Sequence, residues 1–381
     1  MKNLRLQLLL FISALLVLQA LSGISFAQNT KTQEIDKLLT EYYNSGKFQG
    51  SVLIGDDSGI LYEKGFGYAN IELGVPNTPE TKFRIASITK TFTSLLVMQQ
   101  VEEGKVKLNA RITSYIPDYP QKNGSRISIH NLLSHTSGMG HYDFVPHFFQ
   151  YYSFIPYNHA DFIKLFWDRP LLFEPGTKYN YSSFNYYVLG VMLEKITGEP
   201  YEDLVKKRIF DRIGMKNTAV DNQRKIEKNR ASGYEKTDAG YQNATYRNMS
   251  TALATGDIIS TVKDLYLWDR ALYTDKLLPN KMRDLMFTPN LGGYGYGWES
   301  KKLTLADGTT SNTVSHVGNI YGFLSIITRY LDRHAVIILL CNSDKSDIYG
   351  ITSALQNIIF SKPQIVKKEL PLQQQNGAGA N

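Results

Sequence analysis

Hydrophobic and polar positions alternate with period two near both ends of the chain, whereas helical spacing dominates the middle. Near the amino end, alternating runs at Ser51–Ile54 and Gly59–Tyr68 are separated by the turn residues Asp56–Gly59, a pattern that predicts a β-hairpin. The preceding segment, Glu34–Asn44, has helical spacing. We therefore expect a helix and then a hairpin at the start of the folded part.

The carboxyl-terminal part of the chain shows the same alternation. Runs of apolar and polar residues predict several strands there, and helical spacing predicts a helix on each side of them. The predicted strands are Tyr294–Glu299, Thr313–His316, Phe323–Thr328 and Ala335–Leu340, and the predicted helices are Thr261–Leu272 and Ile348–Phe360. Strands at both ends of the chain with helices between them predict one antiparallel sheet assembled from both termini.

One helix is too apolar to lie at a surface. Lys82–Ala86 is extended and leads directly into Ser87, and apolar residues then recur with helical spacing from Phe92 to Val101 until Gly104 ends the pattern. We interpret this segment as a central buried helix. At about 104–250, helix starts, turns and long loops replace the alternation, which predicts a mostly helical insertion.

These elements predict an α+β fold in which an antiparallel sheet is flanked by helices and interrupted by the helical insertion. The chain has 381 residues, which is long for a small domain, and we expect one large folded unit over residues 28–362. Residues 363–381 are rich in Gln, Gly, Ala and Lys and lack periodicity. We expect this tail to be disordered.

The amino terminus has the layout of a cleavable secretory signal peptide. Basic residues precede an apolar run at Leu8–Leu18, and the small residues Ser25 and Ala27 follow it. We predict cleavage after Ala27, which removes residues 1–27. The alternative is a retained membrane anchor, but the run is shorter than the roughly 20 apolar residues of a spanning helix, so we expect no stable anchor.

Charge and cysteine usage narrow the expected partners and compartment. The formal net charge is +7, and the cations are scattered rather than clustered, so we expect no nucleic-acid binding and only a mild bias toward anionic cell-wall polymers. Cys341 is the one cysteine, which excludes a disulfide within the chain, and we interpret it as a buried small hydrophobe. We expect a monomer that is secreted or periplasmic in a bacterium.

A catalytic serine needs an adjacent base and donors for the oxyanion. The chain contains no Gly-x-Ser-x-Gly sequence and no His-Glu-x-x-His sequence, which argues against an α/β-hydrolase and a zinc hydrolase. Ser87 and Lys90 instead begin the buried helix, where their spacing puts hydroxyl and amine on one face. Free N–H groups there favour an oxyanion, and burial is expected to lower the lysine pKa. We predict Ser87 as nucleophile and Lys90 as base.

The same spacing occurs a second time, at Ser260 and Lys263. There Thr261 and Asp264 are typical of a capping box at the start of an amphipathic helix. We interpret this second pair as a helix start without a catalytic function.

Two longer segments give the chain a family resemblance. Phe83–Lys90 contains the Ser-x-x-Lys spacing, and Leu132–Gly138 reads Leu-Leu-Ser-His-Thr-Ser-Gly. Both resemble motifs of the class C β-lactamases, the serine D-alanyl-D-alanine carboxypeptidases and their esterase relatives. The resemblance runs from the hairpin near Ser51 to about Phe360 and implies a β-lactamase/transpeptidase-like fold. It implies no metal and no organic cofactor.

The resemblance also implies a catalytic tyrosine held against the nucleophile, and Tyr181 lies in the corresponding stretch. The family pattern is Tyr-x-Asn, and here Ser183 replaces the asparagine that would contact a substrate carbonyl. Asn185, two residues further on, is an alternative source of that amide. His135, inside the second motif, is expected to support the loop beside the site rather than to act as a base.

A strand motif supplies the remaining site residues implied by the resemblance. His316-Val317-Gly318-Asn319 is similar to the family's Lys-Thr-Gly or His-x-Gly motif. Gly318 is implied to let the substrate approach the strand, and the N–H of Asn319 to join that of Ser87 in the oxyanion hole. His316 is implied to recognise a substrate carboxylate. An unperturbed imidazole loses its charge around pH 6.5, so we expect such binding to weaken between about pH 5.5 and 8.

Together these residues predict a two-step acyl transfer. Ser87 attacks a carbonyl, Lys90 and Tyr181 move the proton, and water then releases the acyl group. The expected substrates are D-alanyl-type peptides, including peptidoglycan-derived ones, small esters or β-lactams. One alternative is a dedicated class C-like β-lactamase, which His316 in place of lysine and Ser183 in place of asparagine disfavour. A second is a non-catalytic binder or sensor of cell-wall peptides.

Overall fold

A computed structural model describes residues 30–362 of the chain. The predicted signal peptide at 1–27 and the predicted disordered tail at 363–381 lie outside these residues, so both stay predictions. Within the described residues, no helix combines the length and the apolar character that crossing a membrane requires.

Most strands and helices within residues 30–362 are short; the exceptions are the strands of the main sheet and five helices of ten or more residues. The strands are β1 Gly50–Asp56, β2 Gly59–Phe66, β3 Tyr68–Asn70, β4 Val75–Pro76, β5 Phe83–Arg84, β6 Ala219–Val220, β7 Tyr234–Thr237, β8 Gly240–Asn243, β9 Ile258–Ser260, β10 Glu299–Thr304, β11 Thr310–Ile320, β12 Phe323–Tyr330 and β13 Ala335–Cys341. The helices are α1 at 30–44, α2 Thr89–Glu102, α3 Gln121–Gly124, α4 Ile129–Leu133, α5 His159–Phe162, α6 Ser183–Thr197, α7 Tyr201–Val205, α8 Asp211–Ile213, α9 Val262–Ala271, α10 Asn280–Phe287 and α11 Ile348–Ile359. A 3₁₀ turn at Ala86–Ile88 precedes α2.

The main sheet has six strands in the order β10-β11-β12-β13-β1-β2. Each neighbouring pair is antiparallel. Strand β13 lies between β12 and β1, so that Leu324 and Gly50 both pair with Cys341. The predicted antiparallel sheet built from both ends of the chain is therefore confirmed.

Strand β13 contributes alternate residues to two apolar clusters, as the pleat of a strand requires. Ile338 and Leu340 belong to the cluster that contains α2, whereas Ile337 and Leu339 belong to the cluster that contains α1 and α11. Cys341 lies in the second cluster, and burial raises the pKa of its thiol to about 12. The interpretation of Cys341 as a buried hydrophobe is confirmed.

Helix α2 is the buried helix that the sequence predicts. All of its residues from Thr89 to Gln100 are buried. Phe92 stacks on Trp268 of α9 with 4.3 Å between ring centroids, and α6, α7 and α10 also pack against the helix. The turn that carries Ser87 is thus joined directly to a helix enclosed by the core.

The predicted strand at Tyr294–Glu299 is wrong in all but its last residue. Strand β10 begins only at Glu299, because the preceding residues form a turn in which the N–H of Gly295 donates to the carbonyl of Trp298 at 2.8 Å. Gly297 has a φ of 79°, and a Cβ there would lie 2.8 Å from the carbonyl oxygen of Lys90. Gly295 and Gly297 therefore belong to a turn that packs against α2, where the conformation and close approach of Gly297 require glycine.

Residues 104–250 contain helices α3 to α8 together with short strands that the sequence pattern does not predict. Strands β7 and β8 form a hairpin, and β6 pairs with β9, which in turn pairs with β5. This small sheet connects the segment before Ser87 to the chain on the far side of residue 250.

Candidate active site

Ser87 lies in the 3₁₀ turn between β5 and α2. Ala86, just before it, has a φ of 47°, which is uncommon for a residue other than glycine. Two contacts hold the adjoining Ile85: its N–H donates to the carbonyl of Ile258, and its carbonyl accepts from the hydroxyl of Ser325, each at 3.0 Å. The turn is therefore held in place by β9 and β12.

The Ser87 turn forms part of the wall of a cavity of about 520 Å³. The other predicted site residues in this wall are Tyr181, Ser183, His316 and Asn319. The wall also includes residues that the sequence analysis does not single out, namely His141, Tyr142, Phe149, Tyr179, Arg247, Thr255, Glu299 and Tyr321. Within residues 30–362, no group of three or more His, Cys, Asp or Glu side chains is arranged to hold a metal ion.

The amine of Lys90 lies against the hydroxyl of Ser87, as their spacing predicts. Lys90 Nζ is 3.0 Å from Ser87 Oγ and donates to the carbonyl of Thr255 at 2.9 Å. Burial holds the pKa of Lys90 well below its usual range, and the charge of Arg247 lowers it further, while Asp257 raises it. A buried amine of this kind can be unprotonated near neutral pH, which is what a base requires.

Tyr181 lies next to both residues. Its ring centroid is 5.0 Å from Lys90 Nζ, and it lines the same cavity as Ser87. Burial raises the pKa of Tyr181, so its phenol keeps its proton at neutral pH and can pass a proton on without existing as a phenolate. The structure thus brings the three predicted catalytic side chains together.

His135 supports Tyr181, with 4.4 Å between the two ring centroids. Its Nδ1 accepts from the backbone N–H of Ser182 at 3.2 Å and from the side-chain amide of Asn185 at 3.0 Å. Burial holds the pKa of His135 well below its usual range, so the ring is neutral and able to accept. These contacts agree with the expected supporting role.

Asn185 does not replace the missing asparagine of the tyrosine motif. Its side chain is buried between His135 and Ser137, whose hydroxyl donates to Asn185 Oδ1 at 2.6 Å. Ser183, at the start of α6, lines the cavity, and its Oγ is 3.4 Å from Lys90 Nζ. The alternative through Asn185 is therefore wrong, and the hydroxyl of Ser183 lies beside the amine of Lys90 instead.

His316 is buried and uncharged. The hydroxyl of Tyr294 is 2.9 Å from His316 Nε2, and the carbonyl oxygen of Val317 is 2.7 Å from Nδ1. Because a carbonyl only accepts, Nδ1 carries the proton and Nε2 accepts from Tyr294. Burial lowers the pKa of His316 to about 3, so the expected loss of charge between about pH 5.5 and 8 is wrong. The imidazole offers a substrate carboxylate no net charge in this range.

Gly318 makes a close approach within the protein itself. A Cβ on Gly318 would lie 2.1 Å from the carbonyl oxygen of Ile85 and 3.1 Å from the Cβ of Ala86. Only glycine lets β11 pack this tightly against the residues before Ser87. The structure therefore gives Gly318 a packing role that the resemblance did not imply.

Asn319 lies on a part of β11 that has one open edge. Strand β10 pairs with β11 only as far as Ser315, and the exposed Asn319 reaches the same cavity as Ser87. The edge of β11 beyond Ser315 therefore has backbone groups without a β10 partner in the described residues.

His141 and Arg247 are polar residues of the cavity that the sequence analysis missed. His141 Nδ1 accepts from the N–H of Ser183 at 3.3 Å, and burial lowers the pKa of His141 to about 4. Arg247 is buried with its guanidinium 4.6 Å from the ring centroid of Tyr142. The position of His141 just after the second motif was a usable signal, whereas Arg247 lies in a segment without periodicity.

The second Ser-x-x-Lys pair lies elsewhere and has other partners. Ser260 is buried at the end of β9 with its hydroxyl 2.8 Å from that of Thr218, and Lys263 donates to Glu80 at 2.8 Å. Thr261 caps α9 with its side chain. The interpretation of this pair as a helix start is confirmed.

Comparison with known protein families decides where the chain belongs. The family model described as Beta-lactamase matches residues 35–355. The chain belongs to the beta-lactamase family. The match spans all the candidate residues from Ser87 to Asn319, and the resemblance drawn from the motifs is confirmed.

Individual relatives of this beta-lactamase family member agree with that assignment. The chain is 28% identical over 364 residues to a penicillin-binding protein of Bacillus subtilis, covering 88% of this chain and 78% of the relative. It is 26% identical over 322 residues to a teichoic acid D-alanine hydrolase of Staphylococcus aureus, covering 83% and 75%. The crystal structure of D-amino acid amidase from Ochrobactrum anthropi SV3 matches with a TM-score of 0.73 and 25% identity, covering 87% of this chain and 97% of that chain. The β-lactamase/transpeptidase-like α+β fold is confirmed.

Proposed function

We propose that this protein is an exported serine hydrolase that forms an acyl-enzyme at Ser87. The observation that carries the proposal is the buried amine of Lys90, 3.0 Å from the Ser87 hydroxyl, whose pKa burial lowers. Such an amine can accept a proton near neutral pH and so activate an otherwise weak nucleophile. Tyr181, which lines the cavity with Ser87 and has its ring centroid 5.0 Å from Lys90 Nζ, supplies a route for the same proton.

The proposed reaction has two balanced steps. Ser87 Oγ forms a bond to the acyl carbon while its proton passes to Lys90, and the leaving group then departs with a proton delivered through Tyr181. Water attacks the resulting ester by the reverse route, so that the acid is released and Ser87 regains its hydrogen. Each cycle returns Lys90 and Tyr181 to their starting protonation states.

The oxyanion that forms in each step needs donors placed in advance. The N–H of Ser87, in the turn that leads into α2, and the N–H of Asn319, beyond the paired part of β11, are the proposed donors. Both residues line the same cavity. Gly318 contributes by allowing β11 to pack on Ile85, next to the turn that carries Ser87.

D-Alanyl esters and peptides are the proposed substrates, ahead of other small esters and β-lactams. Two relatives support this order, because one is named a teichoic acid D-alanine hydrolase and another a D-amino acid amidase. A dedicated β-lactamase is less well supported, since burial leaves His316 uncharged. A non-catalytic binder has no use for an amine of lowered pKa against a serine hydroxyl.

Covalent labelling tests the proposed nucleophile. We expect a fluorescent penicillin or a fluorophosphonate probe to add one label to the wild-type protein, measured as intact mass. Ser87→Ala should abolish the label. Ser260→Ala is the matched control and should keep it, because Ser260 is bound to Thr218 away from the cavity. Equal loss in both folded variants would reject the assignment of Ser87.

Export is part of the proposal and has its own test. We expect the mature protein to begin at Gln28 and to occur in the periplasm or medium, because Ser25 and Ala27 suit signal peptidase. Amino-terminal mass analysis of the cell fractions measures both properties. Full-length protein in the membrane fraction with Met1 retained would contradict export by cleavage.

A further inference from the structure

Arg247 is a buried cation in the cavity wall whose donors are only partly used. Arg247 is 6% exposed and lines the same cavity as Ser87. Nε donates to the hydroxyl of Thr251 and Nη2 to the Thr251 carbonyl, each at 3.1 Å. The other terminal nitrogen, Nη1, has no protein acceptor among residues 30–362. Its N–H groups are therefore free to bind a ligand.

Arg247 also lacks an acidic partner within the described part of the chain. Arg329, which is buried as well, shows the usual arrangement, because it is 2.5 Å from Asp269 and both side chains are fully buried. A buried charge without a partner is costly. No Asp or Glu of residues 30–362 lies within ion-pair distance of Arg247. The missing negative charge is one that a ligand in the cavity can supply.

The guanidinium is held in one orientation by aromatic rings. Its central carbon lies 4.6 Å from the ring centroid of Tyr142 and 5.7 Å from that of Phe148. Contacts of this kind stabilise a cation and restrict the rotation of its planar donor fork. Little ordering is then required when an anion binds.

The other basic side chains at the cavity do not carry the same charge. Burial lowers the pKa of His316 to about 3 and that of His141 to about 4, so both rings are neutral near pH 7. The pKa of Lys90 is lowered as its proposed role as a base requires. Glu299, the acidic residue of the wall, repels anions. An arginine stays cationic throughout this pH range.

We infer that Arg247 binds an oxyanion, a carboxylate or a phosphate, on the leaving group of the substrate that acylates Ser87. The inference rests on the proposed hydrolase function and narrows its substrates to D-alanyl compounds with an anionic leaving group. In such compounds the reacting acyl group is D-alanine itself, so the anion belongs to the group that departs. Arg247 thus takes the recognition role that the resemblance implies for His316.

Three thioesters of the same N-acetyl-D-alanyl group test this inference. Their leaving groups are thioglycolate, which carries a carboxylate, its neutral primary amide, and 2-mercaptoethyl phosphate. We expect kcat/KM of wild type to be about tenfold or more higher for an anionic thioester than for the amide, as a charge-assisted hydrogen bond implies. For the carboxylate thioester, this ratio should stay constant between about pH 5.5 and 8, because neither a guanidinium nor an ordinary carboxylate titrates there. The phosphate thioester does not serve this pH test, because a phosphate monoester changes its charge near pH 6.

Variants of Arg247 identify the residue responsible for the ratio. Arg247→Met should reduce it to about one, and Arg247→Lys should retain part of it, because lysine keeps the charge without the fork. The ratio is the readout because Arg247 also lowers the pKa of Lys90, which changes the rate for all three substrates alike. Arg224→Met is the matched control, since it removes one exposed arginine and should leave the ratio unchanged.

The results distinguish a failure of the hydrolase function from a failure of the proposed role of Arg247. Absence of turnover and of Ser87 labelling in wild type would reject the hydrolase function itself. Turnover with a wild-type ratio near one, or a ratio that persists in Arg247→Met, would overturn the inference and leave the hydrolase function standing. A higher rate for the carboxylate identifies a peptide-like substrate, and a higher rate for the phosphate identifies an ester on a phosphate polymer. If Arg247→Met does not fold, the wild-type ratio and Arg247→Lys decide.

Discussion

Two residues of opposite charge act on the pKa of Lys90. Arg247 lowers it and Asp257 raises it, while burial has the largest effect. Asp257 is buried, and its carboxylate accepts the N–H of Ala254 at 3.1 Å, in the loop whose Thr255 carbonyl binds the Lys90 amine. Burial raises the pKa of Asp257 itself to about 7. The basicity of Lys90 therefore depends on a second buried group that titrates near neutral pH.

The pH profile of the reaction should report this coupling. Lys90 acts as a base only when unprotonated, so kcat/KM should fall on the acid side as Lys90 gains a proton. Asp257→Asn removes a charge that favours the protonated amine, so the acid limb should move to lower pH, by less than about one unit. The measurement is kcat/KM for a neutral ester from about pH 4 to about pH 9.

Asp238→Asn is the control for this profile, because it removes the same charge from an exposed position. Its acid limb should coincide with that of wild type. A limb that moves to higher pH in Asp257→Asn would show that Asp257 does not raise the pKa of Lys90.

Single residues also show how far sequence reasoning reaches. The contact of Ser87 with Lys90 could be predicted because both lie within one helical turn, where spacing fixes distance. The neutral state of His316 could not be predicted, because the pKa of its ring follows from burial. Its hydrogen-bond partner Tyr294 is 22 residues away in the sequence and meets it only in the folded structure. Arg247 reaches the cavity from a loop, and no local pattern fixes the position of a loop side chain.

At the scale of elements, the main feature is the packing of β11 and β12 against the Ser87 turn. Gly318 on β11 lies where a Cβ would meet the carbonyl oxygen of Ile85, and Ser325 on β12 donates to that same oxygen at 3.0 Å. The strand with Asn319 and the turn with Ser87 are thus held together by contacts of both strands with Ile85.

Gly318→Ala should separate β11 from the turn that carries Ser87. The new Cβ would lie 2.1 Å from the Ile85 carbonyl oxygen, so β11 or the turn must shift. We expect a loss of about 1–3 kcal/mol in the free energy of unfolding and a fall of about tenfold or more in the rate of probe labelling at Ser87. Urea unfolding and labelling kinetics measure the two effects.

Gly308→Ala is the matched control, because a Cβ on Gly308 meets no neighbouring atom within 4 Å, although its φ of 86° is unfavourable for alanine. Gly308→Ala should lower the free energy of unfolding but leave the rate of probe labelling at Ser87 unchanged. Normal labelling in Gly318→Ala would mean that the close packing does not position the nucleophile.

Five of the six strands of the main sheet, all but β10, could be predicted because each is long enough to show apolar alternation. Strand β13, with every residue buried, was evident from its continuous apolar run. Strands β5, β6 and β9 have only two or three residues, too few for a period to show. Their pairing depends on the tertiary structure, and so does the turn before β10.

For the whole molecule, the decisive feature is the place of β13 between β12 and β1. A chain ending at Asp332 keeps every candidate site residue from Ser87 to Asn319 but lacks β13. We expect it to show no cooperative urea unfolding and no probe labelling, because the loss leaves two strand edges and both apolar clusters open. A chain ending at Lys362 is the control and should behave as wild type. Labelling of the shorter chain at Ser87 would contradict this dependence.

The pairing of Gly50 with Cys341 has a consequence for the time at which the protein becomes active. Ribosomes add about 5–20 residues per second, so on the order of 15 to 60 seconds pass between the synthesis of β1 and that of β13, its second partner strand. Contacts so distant along the chain also make folding slow, because a long loop must close before they form. Ser87 is synthesised early, yet we expect it to react only after the last strand of the sheet has been made.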